Sequence, residues 1–266
     1  MPTNINLWQF AVYALGFMAI WAGERIGRRG QLGWGLTWLV FSIPAWTYAL
    51  YYTHVWSEPI WLYRVRALPG SELCAAPAGL LVGWLWRCLP MQRHWSRLLP
   101  GTALLLLLAV PYVKQYMPVR PPLESLPNRW VDGVCIQNTT ATCGPASCAT
   151  LLHELGIETT EAALAKAAFT SVSGTENWYL KRAVESYGVH CRYERELTPV
   201  RRLPYPAMAG VSLGPNQGHF VCVLGETDTE YLLADPASGR KRVPKDFRLS
   251  PYEFTGFFMV LEKAGR

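Results

Sequence analysis

Charge is what this sequence has least of. Only 17% of its 266 residues are charged, against about 25% in an ordinary soluble domain. The shortage lies in one half: residues 1–117 hold three acidic and nine basic side chains, residues 118–266 sixteen of each. The excess positive charge therefore sits in the apolar half, which leaves the polar half without a basic patch and excludes nucleic acid as a partner. No paired C-x-x-C spacing is present among the seven cysteines, so no metal site is expected, and no cofactor is expected either. A G-x-x-x-x-G-K-[ST] phosphate loop is also missing, which excludes ATP-driven transport by these residues. There is no internal repeat and no low-complexity tract.

What the first half has instead is long apolar runs. Leu7–Gly23, Leu32–Tyr52, Leu73–Trp86 and Leu98–Val113 are four candidate membrane spans, although the last two reach the usual length of about 20 residues only with flanking residues. Ten of the twelve tryptophans precede residue 118, many near the ends of these runs, as in an interfacial belt. No basic residue precedes the first run, whereas Arg25, Arg28 and Arg29 follow it; this is the reverse of a signal peptide and predicts a cytoplasmic loop after span one. Four spans would then place the second half outside the cytoplasm, on a bacterial inner membrane. If so, disulfides among Cys135, Cys148, Cys191 and Cys222 are allowed, Cys191 with Cys222 among them.

Residues 118–130 are Pro-rich and aperiodic and read as a linker. This divides the chain into a membrane region over 1–117, the linker, and a domain over 131–266. In the last, Gly144–Leu155, "TTEAALAKAAF" and "GTENWYLKRAVESYG" read as helices. "VHCRYER", "PAMAGVSL", "HFVCVLGE", "EYLLAD", "RKRV" and "GFFMVLE" read as strands. Helices followed by a run of strands predict an α+β domain, helices packed on a mainly antiparallel sheet.

Within "CIQNTTATCGPASCATLL", Cys143 stands where a helix begins. Unpaired N–H groups at a helix start favour a thiolate, and Gly144 lets a substrate backbone come close. Gln137, six residues upstream, offers side-chain N–H donors to an oxyanion, and the Cys143 N–H offers another. His219, preceded by Gly218, opens one strand and Asp235 ends the next. An ordinary hairpin makes them neighbours, with the carboxylate on one ring nitrogen and the other nitrogen left for the thiol. Taken singly, each residue has a plainer use: a buried cysteine, a core histidine, a turn-forming aspartate before Pro236. The combination points to a thiol hydrolase.

Q-x5-C-G-P-A ahead of a helix, then "GHFVCVLG", then "DP-x-x-G" resemble the bacteriocin-processing, papain-like cysteine peptidases of family thirty-nine over roughly residues 131–262. The resemblance implies Cys143 as nucleophile, His219 as general base and acid, Asp235 as its orienter and Gln137 in the oxyanion hole. Gly144 and Gly218 beside them are candidate substrate contacts. It further implies cleavage of leader peptides, commonly after Gly-Gly. The best-known members carry the peptidase domain at the N-terminus of an ATP-driven exporter; here it is C-terminal. The resulting expectation is a multi-pass α-helical membrane protein with a papain-like cysteine endopeptidase domain. Its partners would be a peptide or protein precursor, the lipid bilayer and a separate export system. Two alternatives share the same residues: a catalytically silent module that binds leader peptides, and a papain-like acyl transferase.

Overall fold

The computed structural model describes residues 5–26, 32–53, 59–88, 95–195, 204–214, 218–246 and 250–263. The chain divides into two compact units: Asn6–Pro59 with Pro69–Val113, and Met1–Ile5, Ile60–Leu68 and Lys114–Arg266.

The first unit is helical. Helices α1 (Trp8–Ile26), α2 (Leu32–Thr53), α4 (Ala78–Cys88) and α5 (Trp95–Ala109) fall on the four apolar runs, the last two covering only part of theirs. Its buried side chains include Val12, Ile20, Ala45, Val82, Leu104 and Leu108. Helices α1 and α4 meet through glycine. A Cβ on Gly79 would lie 2.2 Å from the Gly16 carbonyl oxygen, and one on Gly83 only 2.0 Å from that of Ile20. Larger apolar residues point away: Phe10, Phe17 and Trp21 on α1 and Val40, Phe41 and Trp46 on α2 are all exposed.

Among the described residues, one helical stretch is long and apolar enough to cross a membrane, Leu98–Tyr116, with 19 residues and a mean hydropathy of 1.4. The expected third span, Leu73–Trp86, is not one helix. A 3-10 turn over Ser71–Ala75 precedes α4, whose 11 residues rise about 16 Å, roughly half of a hydrocarbon core. Pro77 lies at the break, where its missing N–H ends the preceding turn. Helices α1 and α2 are long enough at 19 and 22 residues, but are rich in glycine, tryptophan and tyrosine and, in α2, interrupted by Pro44.

The second unit is α+β. Helices α6 (Cys143–Glu154), α7 (Glu161–Ala167) and α8 (Asn177–Glu185) precede six long strands. These are β3 (Val189–Arg195), β4 (Ala207–Ser212), β5 (Gly218–Glu226), β6 (Glu230–Asp235), β7 (Gly239–Pro244) and β8 (Glu253–Lys263). They form one sheet in the order β3-β8-β4-β5-β6-β7, every neighbouring pair antiparallel. A short pair, β1 (Trp130–Val131) with β2 (Val134–Cys135), leads into the site. Residues Gly144–Leu152 of α6 are buried throughout, which makes it the central helix, docked on β5. Ser147 donates its hydroxyl to the Phe220 carbonyl (3.3 Å), and the Cys222 thiol donates to the Ser147 carbonyl (3.2 Å).

Two stretches belong to this unit that the sequence assigned elsewhere. Residues 118–130, expected as a linker, pack on the domain through Val119 and Leu123, buried with Ala141 and Ala165. Helix α3 (Ile60–Ala67), from the middle of the apolar half, is held here by aromatic and cationic contacts. Its Tyr63 ring meets Tyr193 and Phe257 at 6.1 and 5.8 Å. Arg66, buried to 2% exposure, lies over the Trp178 ring. Arg182 on α8 donates to the Ala67 carbonyl (3.1 Å) and the Leu68 carbonyl (2.8 Å), covering helix-end acceptors that α3 cannot satisfy itself.

Candidate active site

The hairpin of β5 and β6 pairs Cys222 with Ala234, so the start of one strand lies beside the end of the other. His219 and Asp235 meet there, and the ring Nε2–H donates to Asp235 Oδ1 at 2.8 Å. That bond leaves Nδ1 for the thiol, and Cys143 lies close enough to the same ring to raise its pKa. The docking of α6 on β5 is what brings Cys143 to His219. Both partners of the ring are thus in place, and His219 is itself buried.

Cys143 is the first residue of α6, and Thr142 stands at the N-cap without capping it. The Thr142 hydroxyl turns back instead, donating to the Thr139 carbonyl (2.9 Å) and accepting the Thr139 N–H (3.1 Å). Uncapped N–H groups at a helix start remain available to an anion. The other four cysteines of the unit, Cys135, Cys148, Cys191 and Cys222, are buried and free. Burial, joined by the Glu161 carboxylate, pushes Cys135 up to about 12; burial does the same to Cys191. Thiols so shifted are inert at neutral pH. The allowed Cys191–Cys222 bridge does not form: β8 and β4 separate β3 from β5, a gap of three strand spacings of about 4.8 Å each.

Opposing forces set the charge of the pair. Burial by itself lowers the His219 pKa, but the hydrogen bonds to Asp235 and Cys143 and the negative charge on both outweigh it, raising it from 6.5 to about 9. Burial would raise Asp235, yet four donors hold it well below the usual carboxylate range. Besides the His219 ring, the Tyr252 hydroxyl donates to Oδ2 at 2.6 Å, the Ser238 hydroxyl to Oδ2 at 2.9 Å and the Ala237 N–H to Oδ1 at 2.8 Å. Tyr252 is buried, and burial with the adjacent carboxylate keeps its phenol protonated. Ser238 and Tyr252 were not read from the sequence. Ser238 follows from the tight turn after Asp235, but Tyr252 arrives from the start of β8 with no local signal.

Gln137 is placed by its backbone: its N–H donates to the Pro236 carbonyl at 2.8 Å, next to Asp235. Its side-chain Oε1 is buried without a hydrogen-bond partner. Gly144 is buried, and a Cβ there would meet Leu180 Cδ1 at 2.7 Å and Phe220 Cδ2 at 3.4 Å. That glycine packs closely where α6 meets α8 and β5. Gly218 is exposed at the mouth of β5 with nothing near its missing Cβ. Among the described residues, no group of three or more His, Cys, Asp or Glu is placed to hold a metal ion.

Residues 133–265, half of the chain, match the family model described as Peptidase C39. An uncharacterised protein of Methanothermobacter marburgensis is 39% identical over 128 residues, covering 48% of this chain and 86% of the relative. A lactococcin transport/processing ATP-binding protein (LcnC-like) of Lactococcus lactis is 29% identical over 124 residues, covering 45% of this chain but 17% of the relative. Among solved structures, the peptidase domain of Streptococcus ComA, a bifunctional ABC transporter involved in quorum sensing, aligns with a TM-score of 0.44 and 25% identity. That alignment covers 49% of this chain and 97% of that domain. Domain matched and site assembled, the chain belongs to the Peptidase C39 family.

Proposed function

We propose that this protein is a membrane-anchored cysteine endopeptidase that cleaves an exported or membrane-associated precursor. The observation that supports this most is the buried His219–Asp235 hydrogen bond with Cys143 close enough to the same ring to raise its pKa. In the proposed reaction the Cys143 thiolate attacks the scissile carbonyl carbon. The Gln137 side-chain amide and the Cys143 N–H stabilise the oxyanion. His219 Nδ1 then gives its proton to the leaving amine, and on the second step takes one from the water that hydrolyses the thioester. Asp235 stays ionised throughout, holding the ring and its charge. The raised pKa of His219 favours the imidazolium in the resting site, the form that donates a proton to the leaving amine.

Two features support the membrane anchor. Several large apolar side chains of the helical unit, Phe10, Phe17, Trp21, Phe41 and Trp46 among them, are exposed, while Gly79 and Gly83 meet a neighbouring helix backbone, an arrangement favoured where lipid replaces water around a bundle. One of its helical stretches also has the length and hydropathy of a span. The proposal extends this to several passes, with the α+β unit outside the cytoplasm on the arginine pattern. The Lactococcus relative is named for transport together with processing. By analogy, the substrate here is a precursor bound for export, with a Gly-Gly leader as first candidate.

The test uses the full chain in detergent or lipid nanodiscs with a quenched-fluorescence Gly-Gly leader peptide. Cys143→Ala should reduce cleavage to the uncatalysed background. Cleavage at the wild-type rate by that variant would sink the assignment.

A further inference from the structure

Five successive backbone N–H groups run into the site, and each is held by a different part of the domain. Cys135 donates to Thr150 Oγ1 (3.0 Å), Ile136 to the Arg129 carbonyl (2.8 Å) and Gln137 to the Pro236 carbonyl (2.8 Å). Asn138 donates to Glu161 Oε1 (2.9 Å) and Thr139 to Thr142 Oγ1 (3.1 Å). Four of these acceptors are neutral. The exception is Glu161, the first residue of α7, which is 2% exposed. Its second oxygen accepts from the Asn138 side-chain amide, which also donates to the Pro127 carbonyl at 2.8 Å. A buried carboxylate is costly unless its oxygens are well used, and here both face one residue, the neighbour of Gln137.

We propose that Glu161 is a positioning residue for the oxyanion donor: by gripping Asn138 at two points it fixes the backbone from which the Gln137 side chain departs. The inference rests on the peptidase reading above. Gln137 Oε1 makes no hydrogen bond within the protein, so the side chain does not fix its own direction there; the backbone must. That backbone is anchored before the residue by the Gln137–Pro236 bond and after it by the Asn138–Glu161 pair. Only the second anchor is made by a side chain. An oxyanion donor tolerates little displacement, since a misplacement of about 1 Å can cost about 10²-fold in rate.

Glu161→Gln preserves size but turns one acceptor into a donor facing the donors of Asn138. The assay is acylation of the full-length protein by acetyl-Gly-Gly 4-nitrophenyl ester: a Cys143 S–C bond forms as 4-nitrophenolate leaves. For Glu161→Gln, kcat should fall about 10- to 100-fold, with KM changed less than about twofold. Alkylation of Cys143 by iodoacetamide, which develops no oxyanion, should keep its wild-type rate. An unchanged kcat in Glu161→Gln would overturn the proposal. So would alkylation that slows in step with acylation. If the wild-type protein is not acylated at Cys143 at all, the peptidase reading itself fails, and the inference falls with it.

Discussion

The α+β unit and the helical unit bury their chain by opposite rules. In the first, bulky side chains such as Leu151, Trp178, Tyr193 and Phe258 are fully buried, and charge and hydroxyl groups remain inside only where they are hydrogen-bonded, as around Asp235. In the second, α1 and α4 also meet through glycine against carbonyl oxygen, while Phe10, Phe17, Trp21, Phe41 and Trp46 lie on the outside. Water drives large apolar groups inward; where the surroundings are themselves apolar that drive is gone, and close backbone packing holds helices together. On the proposed membrane reading, the two units would answer the same packing problem in different solvents.

Truncating a buried leucine would sharpen that contrast most. Leu151→Ala should destabilise the α+β unit by about 2–5 kcal/mol, whereas Phe17→Ala, on the exterior of α1, should change stability in detergent by about 0.5 kcal/mol or less. Chemical denaturation of both variants checks it; equal losses would erase the distinction. Adding a single methyl group should act in the reverse sense. Gly83→Ala places a carbon against the Ile20 carbonyl and should cost the helical unit about 1–3 kcal/mol, read as a lowered thermal midpoint in detergent.

A smaller effect is expected where the α+β unit keeps its charge. Tyr252→Phe removes one donor from Asp235, whose pKa is depressed in the folded state. A depressed carboxylate adds stability above its unfolded pKa of about 3.9 and loses it as pH falls toward the folded value. The variant should therefore be less stable by about 1–2 kcal/mol at pH 7. Its deficit should shrink on acidification below about pH 3.9 as the carboxylates protonate. A deficit independent of pH would mean that the tyrosine acts by packing alone.

Much of the site was legible because its signals are local. A cysteine before Gly-Pro marks a helix start, a glutamine six residues earlier shares its loop, and a histidine and an aspartate at facing ends of adjacent strands meet through hairpin geometry. The six strands and three helices of the domain were likewise periodic in the sequence and fall within a few residues of the observed bounds. Tyr252 and Glu161 were not legible: each reaches its partner across the fold, from the entry to β8 and from the first turn of α7. Nor was the place of α3, since an Arg-bearing apolar segment between two apolar runs reads as loop or membrane edge until Trp178 and Arg182 are seen around it.

The sequence by itself determined the elements, the helix that Cys143 opens and the reach of His219 to Asp235, because these depend on spacing within a loop, a helix or a hairpin. Only the tertiary structure decided which side chain sits over which. It packed Gly144 against Leu180 and Phe220, drew α3 and residues 118–130 into the α+β unit, and supplied the buried donors of Asp235 and the carboxylate that holds Asn138. The physical reason is that backbone periodicity is written in neighbouring residues, whereas the hydrogen-bond partners of a buried charge come from wherever the closed fold brings them.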